Sequence, residues 1–185
     1  MPSGLHSLLG WLLGVALALF VAWLLLRRRS AQPPNGVSDP KKQLEFVSRV
    51  EFERQPLINK SEFQVLLVLE EVVRSCGRGH RVMAQTVLGE FLRPKPGGGA
   101  EADLAYRSIN SKRADFVVVD SRGYAVLVVE YQGSGHYQGT ANLRDAVKRE
   151  AFRTAGLTLL EVMPGFSKAD VAARVRQALG ASGVA

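Results

Sequence analysis

Residues 113–131 read RADFVVVDSRGYAVLVVEY. Arg113 to Asp120 and Tyr124 to Tyr131 are rich in valine and aromatic residues, and Ser121-Arg122-Gly123 between them is turn-forming. Two such runs joined so closely predict a β-hairpin. Both are nearly continuously apolar, as expected of central strands covered on both faces.

Working outward, the pattern stays regular. Asn59-Lys60-Ser61-Glu62 opens a helix whose apolar residues are Phe63, Leu66, Leu67, Leu69 and Val73, ending near Cys76-Gly77. Arg81 to Thr86 alternates like a strand, and Val87 to Leu92 reads as a short turn or helix. Gly97-Gly98-Gly99, after Pro94 and Pro96, marks a loop. Beyond the hairpin, a Gly-rich loop over residues 133–139 leads into a helix from about Ala141 to Ala155, stopped by Gly156. Leu157 to Met163 is a strand, and Pro164-Gly165 turns into a last helix, Lys168 to Leu179. The order predicts an α/β domain with a mixed central sheet flanked by helices.

Into the apolar hairpin the chain sets Asp115 and Glu130. If Asp120 pairs with Tyr124 or Ala125, the two carboxylates lie within one residue of being cross-strand neighbours. At about 5 Å and an effective dielectric near 20 they repel by roughly 3 kcal/mol, and burial adds to the cost unless one is protonated or a cation sits between them. A divalent cation with hard oxygen ligands, magnesium above all, resolves the conflict. Gln132, two residues on, points to the same face. The plain alternative pairs Asp115 with Arg113 or Lys112 and leaves Glu130 exposed at a strand end; a one-residue register difference decides between them. Glu62 falls at helical spacing from Val65, Leu66, Leu69 and Val73, yet Asn59 three residues earlier also makes it half of a capping box. On the helix after the hairpin, Arg144, Lys148, Arg149 and Arg153 form a face basic enough to meet a phosphate backbone, or simply a solvated one.

The formal net charge of +7 and a pI near 9.9 favour anionic partners, nucleic acid or an anionic surface. The single cysteine, Cys76, excludes an internal disulfide and a Cys-based zinc site. His6, His80 and His136 are too scattered for a multi-His centre.

Leu8 to Leu26 carries no charged side chain, about nineteen residues or roughly 28 Å of helix, with Trp11 and Trp23 near its ends. Arg27-Arg28-Arg29 follows, and no Lys or Arg precedes it. These features predict one N-terminal transmembrane helix, with the membrane as a partner. The positive-inside rule would put the chain in the inner membrane, N-terminus out and soluble domain cytoplasmic. A cleaved signal peptide would need its basic residues on the other side and a shorter apolar core. The expected organisation is an anchor over residues 1–29, a Pro/Gly-containing linker over 30–55, the α/β domain over 56–165 and a C-terminal helix and tail over 166–185.

The ordered stretches NKSEFQVLLVLEEVV, KRADFVVVD, VLVVEYQGSGH and RDAVKREAFRTAGLTLLEV resemble the bacterial domain of unknown function 2726. That family is grouped with the restriction-endonuclease-like PD-(D/E)XK nucleases. The resemblance covers about Pro56 to Met163 and implies a restriction-endonuclease-like sheet and a metal-dependent nuclease acting on DNA or RNA, using magnesium with manganese as a substitute. Carried over by position, it implies Glu62, Asp115 and Glu130 as metal ligands; His136 would complete the site, and Arg144 and Arg149 of the basic helix would meet the substrate. The family's catalytic lysine would stand two residues after Glu130, where this chain has Gln132. Either Lys148 reaches in from the following helix or the site is weakened to a module that binds nucleic acid or a protein.

Overall fold

The computed structural model describes residues 14–17, 19–21, 23, 39–133 and 140–181. It divides into two compact units, residues 1–54 and 55–185. In the first, helix α1 (Pro40–Ser48) starts at Asp39, whose carboxylate accepts the Lys41 N–H at 3.0 Å, with proline at the first helical position.

The expected transmembrane helix is corrected here. Within Leu8 to Leu26 the described residues 14–17, 19–21 and 23 are helical, and no helix among the described residues is long and apolar enough to cross a membrane. A span needs about 20 apolar residues in one continuous helix, and the described residues do not supply one. The single-pass inner-membrane placement that rested on it is withdrawn with it.

The second unit holds a four-stranded mixed sheet in the order β1 (Arg81–Val87), β2 (Arg113–Val119), β3 (Ala125–Tyr131), β4 (Thr158–Val162). The first three strands are antiparallel and β4 runs parallel to β3. Helix α2 (Lys60–Cys76) precedes β1; α3 (Leu88–Phe91) and α4 (Gly99–Ile109) lie between β1 and β2. Helix α5 (Thr140–Thr154) makes the crossover that a parallel pair requires, and α6 (Lys168–Ala181) ends the unit. Helix α4 goes beyond the sequence reading; it buries none of its residues fully, and its inward residues Ala102, Tyr106 and Ile109 are only half-buried.

Both faces of the sheet are covered, which is why β2 and β3 read as unbroken apolar runs. On one face Phe116, Val118, Leu127, Val129, Leu160 and Val162 pack against α2 and α6. The buried stripe of α2 is Val65, Val68, Leu69, Val72 and Val73; Phe63 and Leu67, apolar residues of the same helix, are exposed. On the other face Val117 and Val128 pack with Leu88 of α3 and Phe152 of α5. The hairpin closes on Asp120, whose carboxylate accepts the backbone N–H groups of Arg122 and Tyr124, both at 2.9 Å, while Gly123 takes a left-handed φ of +87°. Those hydrogen bonds, that of Tyr124 first, hold the Asp120 carboxyl below its ordinary range.

Candidate active site

The turn fixes where the hairpin starts, and a β-bulge fixes what faces what. Val119 pairs with Ala125, but Val118 pairs with Leu127, so Val126 is an extra residue on β3. Continuing the turn's register without it would set Asp115 against Val129. With it, Phe116 faces Val129, and one step further Asp115 lies opposite Glu130. Bulges re-aim side chains in this way beside functional sites.

The parallel ladder then places Glu130 beside Glu161. Asp115, Glu130 and Glu161 therefore form a row across three adjacent strands. The row two residues away on the same face is Val117, Val128 and Leu159. The face that packs against α5 turns from apolar to acidic within one pleat.

Glu130 is 6% exposed. Its Oε2 accepts from Lys148 Nζ at 2.6 Å, and its Oε1 is buried without a hydrogen-bond partner. Lys148 reaches down from α5 and also donates to the Arg113 carbonyl at 3.1 Å. Half-buried Asp115 accepts the Tyr131 N–H on Oδ2 at 2.8 Å, which fixes its carboxylate against the end of β3. Burial pushes the Glu130 carboxyl up to about 7; the Lys148 charge and hydrogen bond oppose the rise, and Asp115 opposite and Asp145 add to it. An unpartnered buried oxygen of this kind costs about 1–3 kcal/mol, a penalty that folds carry at functional sites.

A second cluster adjoins the first. Glu161 Oε1 receives Arg149 Nε at 3.0 Å, the Arg149 terminal nitrogen at 2.8 Å and Gln132 Nε2 at 3.1 Å. Gln132 is thus turned to β4, and the cation near Glu130 comes from α5 instead. The Glu161 hydrogen bond, with its charge, raises the Arg149 pKa.

Asp115, Glu130 and Lys148 are brought together, and Gln132 and Arg149 meet one strand away. Glu62 is not among them. It closes the capping box of α2, accepting the Asn59 N–H at 3.0 Å while Asn59 accepts its own N–H at 2.9 Å, and α2 packs on the other face of the sheet. Among the described residues no group of three or more His, Cys, Asp and Glu side chains is placed to hold a metal. Arg144 is exposed on α5, and His136 lies outside the described residues. Glu161 escaped the sequence reading; its signal was a lone acid in the strand TLLEV, informative only once β4 is known to lie beside β3.

The raised Glu130 carboxyl has a consequence for stability. The folded chain keeps a proton there that the unfolded chain, with an ordinary carboxyl near 4.5, releases. Stability from this group is therefore full below about pH 4.5 and is lost as pH rises through about 7, by up to about 3 kcal/mol. Urea unfolding of metal-free protein and Glu130→Gln, followed from pH 4.5 to 8, should show the loss in the first and a flatter curve in the second. Parallel curves would exclude the assignment.

The relatives of the chain agree with the extent of this unit. An uncharacterized protein of Haemophilus influenzae is 45% identical over 128 residues, covering 69% of this chain and 64% of its own length. Uncharacterized protein y4bI of Sinorhizobium fredii is 46% identical over 114 residues, covering 62% of this chain and 78% of its own. The chain thus spans less than two thirds of the Haemophilus relative. No solved structure matches it. The model of one family, described as "Protein of unknown function (DUF2726)", matches residues 54–182, and the chain belongs to that family.

Proposed function

We propose that the chain is a metal-dependent nuclease-like enzyme of the PD-(D/E)XK type, hydrolysing phosphodiester bonds of nucleic acid at Asp115, Glu130 and Lys148. The observation that carries this reading is Lys148 Nζ on Glu130 Oε2, beside Asp115, with Glu130 Oε1 left unpartnered. Magnesium is commonly bound by one or two carboxylates plus waters and substrate phosphate, so the Asp115–Glu130 pair fits it as a holder. When bound, the ion would activate water and neutralise charge on the phosphate. Tyr131 N–H keeps the Asp115 carboxylate in place. The Arg113 carbonyl fixes the Lys148 ammonium, which stabilises the negative charge that develops on the phosphoryl oxygens. Exposed Arg144, on the same helix, supplies a contact to neighbouring phosphates.

A non-catalytic module that binds nucleic acid or a protein is the second reading. It is favoured by Glu62, which spends its carboxylate on the helix cap. Manganese titration by calorimetry, paired with binding of labelled DNA and RNA over a salt series, separates the two. The nuclease reading expects manganese binding that Asp115→Ala abolishes. Salt-dependent nucleic-acid binding with no metal uptake by the unaltered chain would favour the module, because phosphate contacts from Lys and Arg need no metal.

A further inference from the structure

The site row has a fourth member. On the edge strand, Ala84 pairs with Phe116 and Thr86 with Ala114, so the residue between them, Gln85, stands at the level of Asp115. Each strand then contributes one amide or carboxylate at this level: Gln85, Asp115, Glu130 and Glu161.

Gln85 is also the sole non-glycine residue with positive φ among the described residues, at +51°. Left-handed backbone is disfavoured for L-residues with a Cβ, and Asn, Asp and Gly are the types that adopt it routinely. No extra residue accompanies the distortion, since the β1–β2 register is the same on both sides of it. It is therefore not a bulge that re-aims the rest of the strand. Glycine would fit this backbone with less strain, yet the chain carries a long side chain here. That side chain is half-buried, and among the described residues it makes no hydrogen bond. Strained backbone that serves no folding purpose is characteristic of functional positions.

We infer that Gln85 is a substrate-positioning residue of this site, its carboxamide N–H groups donating to a phosphodiester oxygen held beside Asp115. The inference rests on the nuclease reading and names a residue that reading does not need. A contact to the phosphate carries no sequence preference, so its loss weakens binding alike for different sequences.

The test uses the full chain and its Gln85→Gly and Gln85→Asn variants. Thermal unfolding, binding of a labelled duplex and single strand in calcium, and cleavage in magnesium are measured for each. Gln85→Gly is expected to unfold at a higher temperature than the unaltered chain, because glycine accepts positive φ. Its affinity and its kcat/KM should nonetheless fall about tenfold or more, the worth of a hydrogen bond to a charged group. Gln85→Asn, which keeps a carboxamide and tolerates the backbone, should recover part of the loss. A merely structural role would move stability and activity in the same direction. Gln85→Gly that binds and cleaves like the unaltered chain overturns the inference and leaves the nuclease reading standing. An unaltered chain that binds without cleaving overturns the nuclease reading, while weaker binding by Gln85→Gly still supports the positioning role. An unaltered chain that neither binds nor cleaves overturns both.

Discussion

Lys148→Met is expected to lower cleavage by about 100-fold or more, the usual cost of removing a charge aimed at a developing anion. It should also reshape the pH dependence of stability. Methionine keeps the stem of the side chain and removes the cation that Glu130 Oε2 contacts at 2.6 Å. Breaking a buried pair by removing one partner commonly costs 3–5 kcal/mol, because a charge is left uncompensated. Glu130 has an escape from that cost. Burial already holds its carboxyl near 7, and losing Lys148 removes an influence that lowers it. Proton uptake therefore removes most of the penalty in mildly acid solution and little of it in alkaline solution. Urea unfolding at pH 6 and pH 9 should show a small loss at the first and a loss of several kcal/mol at the second. Equal losses at both would mean that Lys148 and Glu130 are not coupled as the geometry implies.

Phe152→Ala is the second large effect. Helix α5 carries Lys148 and Arg149 but few apolar residues, and Phe152, 1% exposed, is its fully buried anchor on the sheet. The ring packs beside Val117 and Val128 and stacks near Phe91 with centroids 6.5 Å apart. Truncation of a buried phenylalanine costs about 3–5 kcal/mol. The same change loosens the element that delivers the lysine. Leu179→Ala on the opposite face, 2% exposed, should cost about 2–5 kcal/mol without touching the site. Assayed at a temperature where both variants remain folded, Phe152→Ala should lose most of its activity and Leu179→Ala should keep it. Equal retention would show that α5 is not what holds the catalytic cation.

The hairpin, the capped helix α2 and the last strand–helix pair were legible because each carries a local signal: unbroken valine runs, Asn59 with Glu62, and Gly156 followed by an apolar run. The pairing of Asp115 with Glu130 was half legible. Their spacing brought them within one residue of each other, and the extra residue Val126 that decides the register leaves no mark in sequence. Glu62 had two readings, ligand or cap, and the hydrogen bonds to Asn59 show the cap. The Gln132–Glu161–Arg149 cluster was hidden because it joins residues from three elements, and only the β3–β4 parallel pairing brings them together. The N-terminal span was read from a hydropathic run, which states composition alone; among the described residues no helix is long and apolar enough to cross a membrane.

On the nuclease reading proposed above, Lys148 and Gln132 together would account for the departure from the PD-(D/E)XK lysine spacing. The cation sits on the helix after β3, and the position two residues after Glu130 is given to an amide that ties β3 to β4 through Glu161. On that reading the cluster would keep two carboxylates and one cation while changing which element supplies the cation.

The most direct test of a metal-dependent site at Asp115, Glu130 and Lys148 is a magnesium titration of cleavage. Purified full chain, Asp115→Asn and Lys148→Met would be compared on labelled double-stranded DNA, single-stranded DNA and RNA, with circular dichroism confirming that each is folded. Cleavage of at least one substrate that saturates with magnesium, vanishes with chelator and is lost in both variants is the predicted result. Absence of cleavage by the folded chain on every substrate, or cleavage that persists in Asp115→Asn, would contradict it.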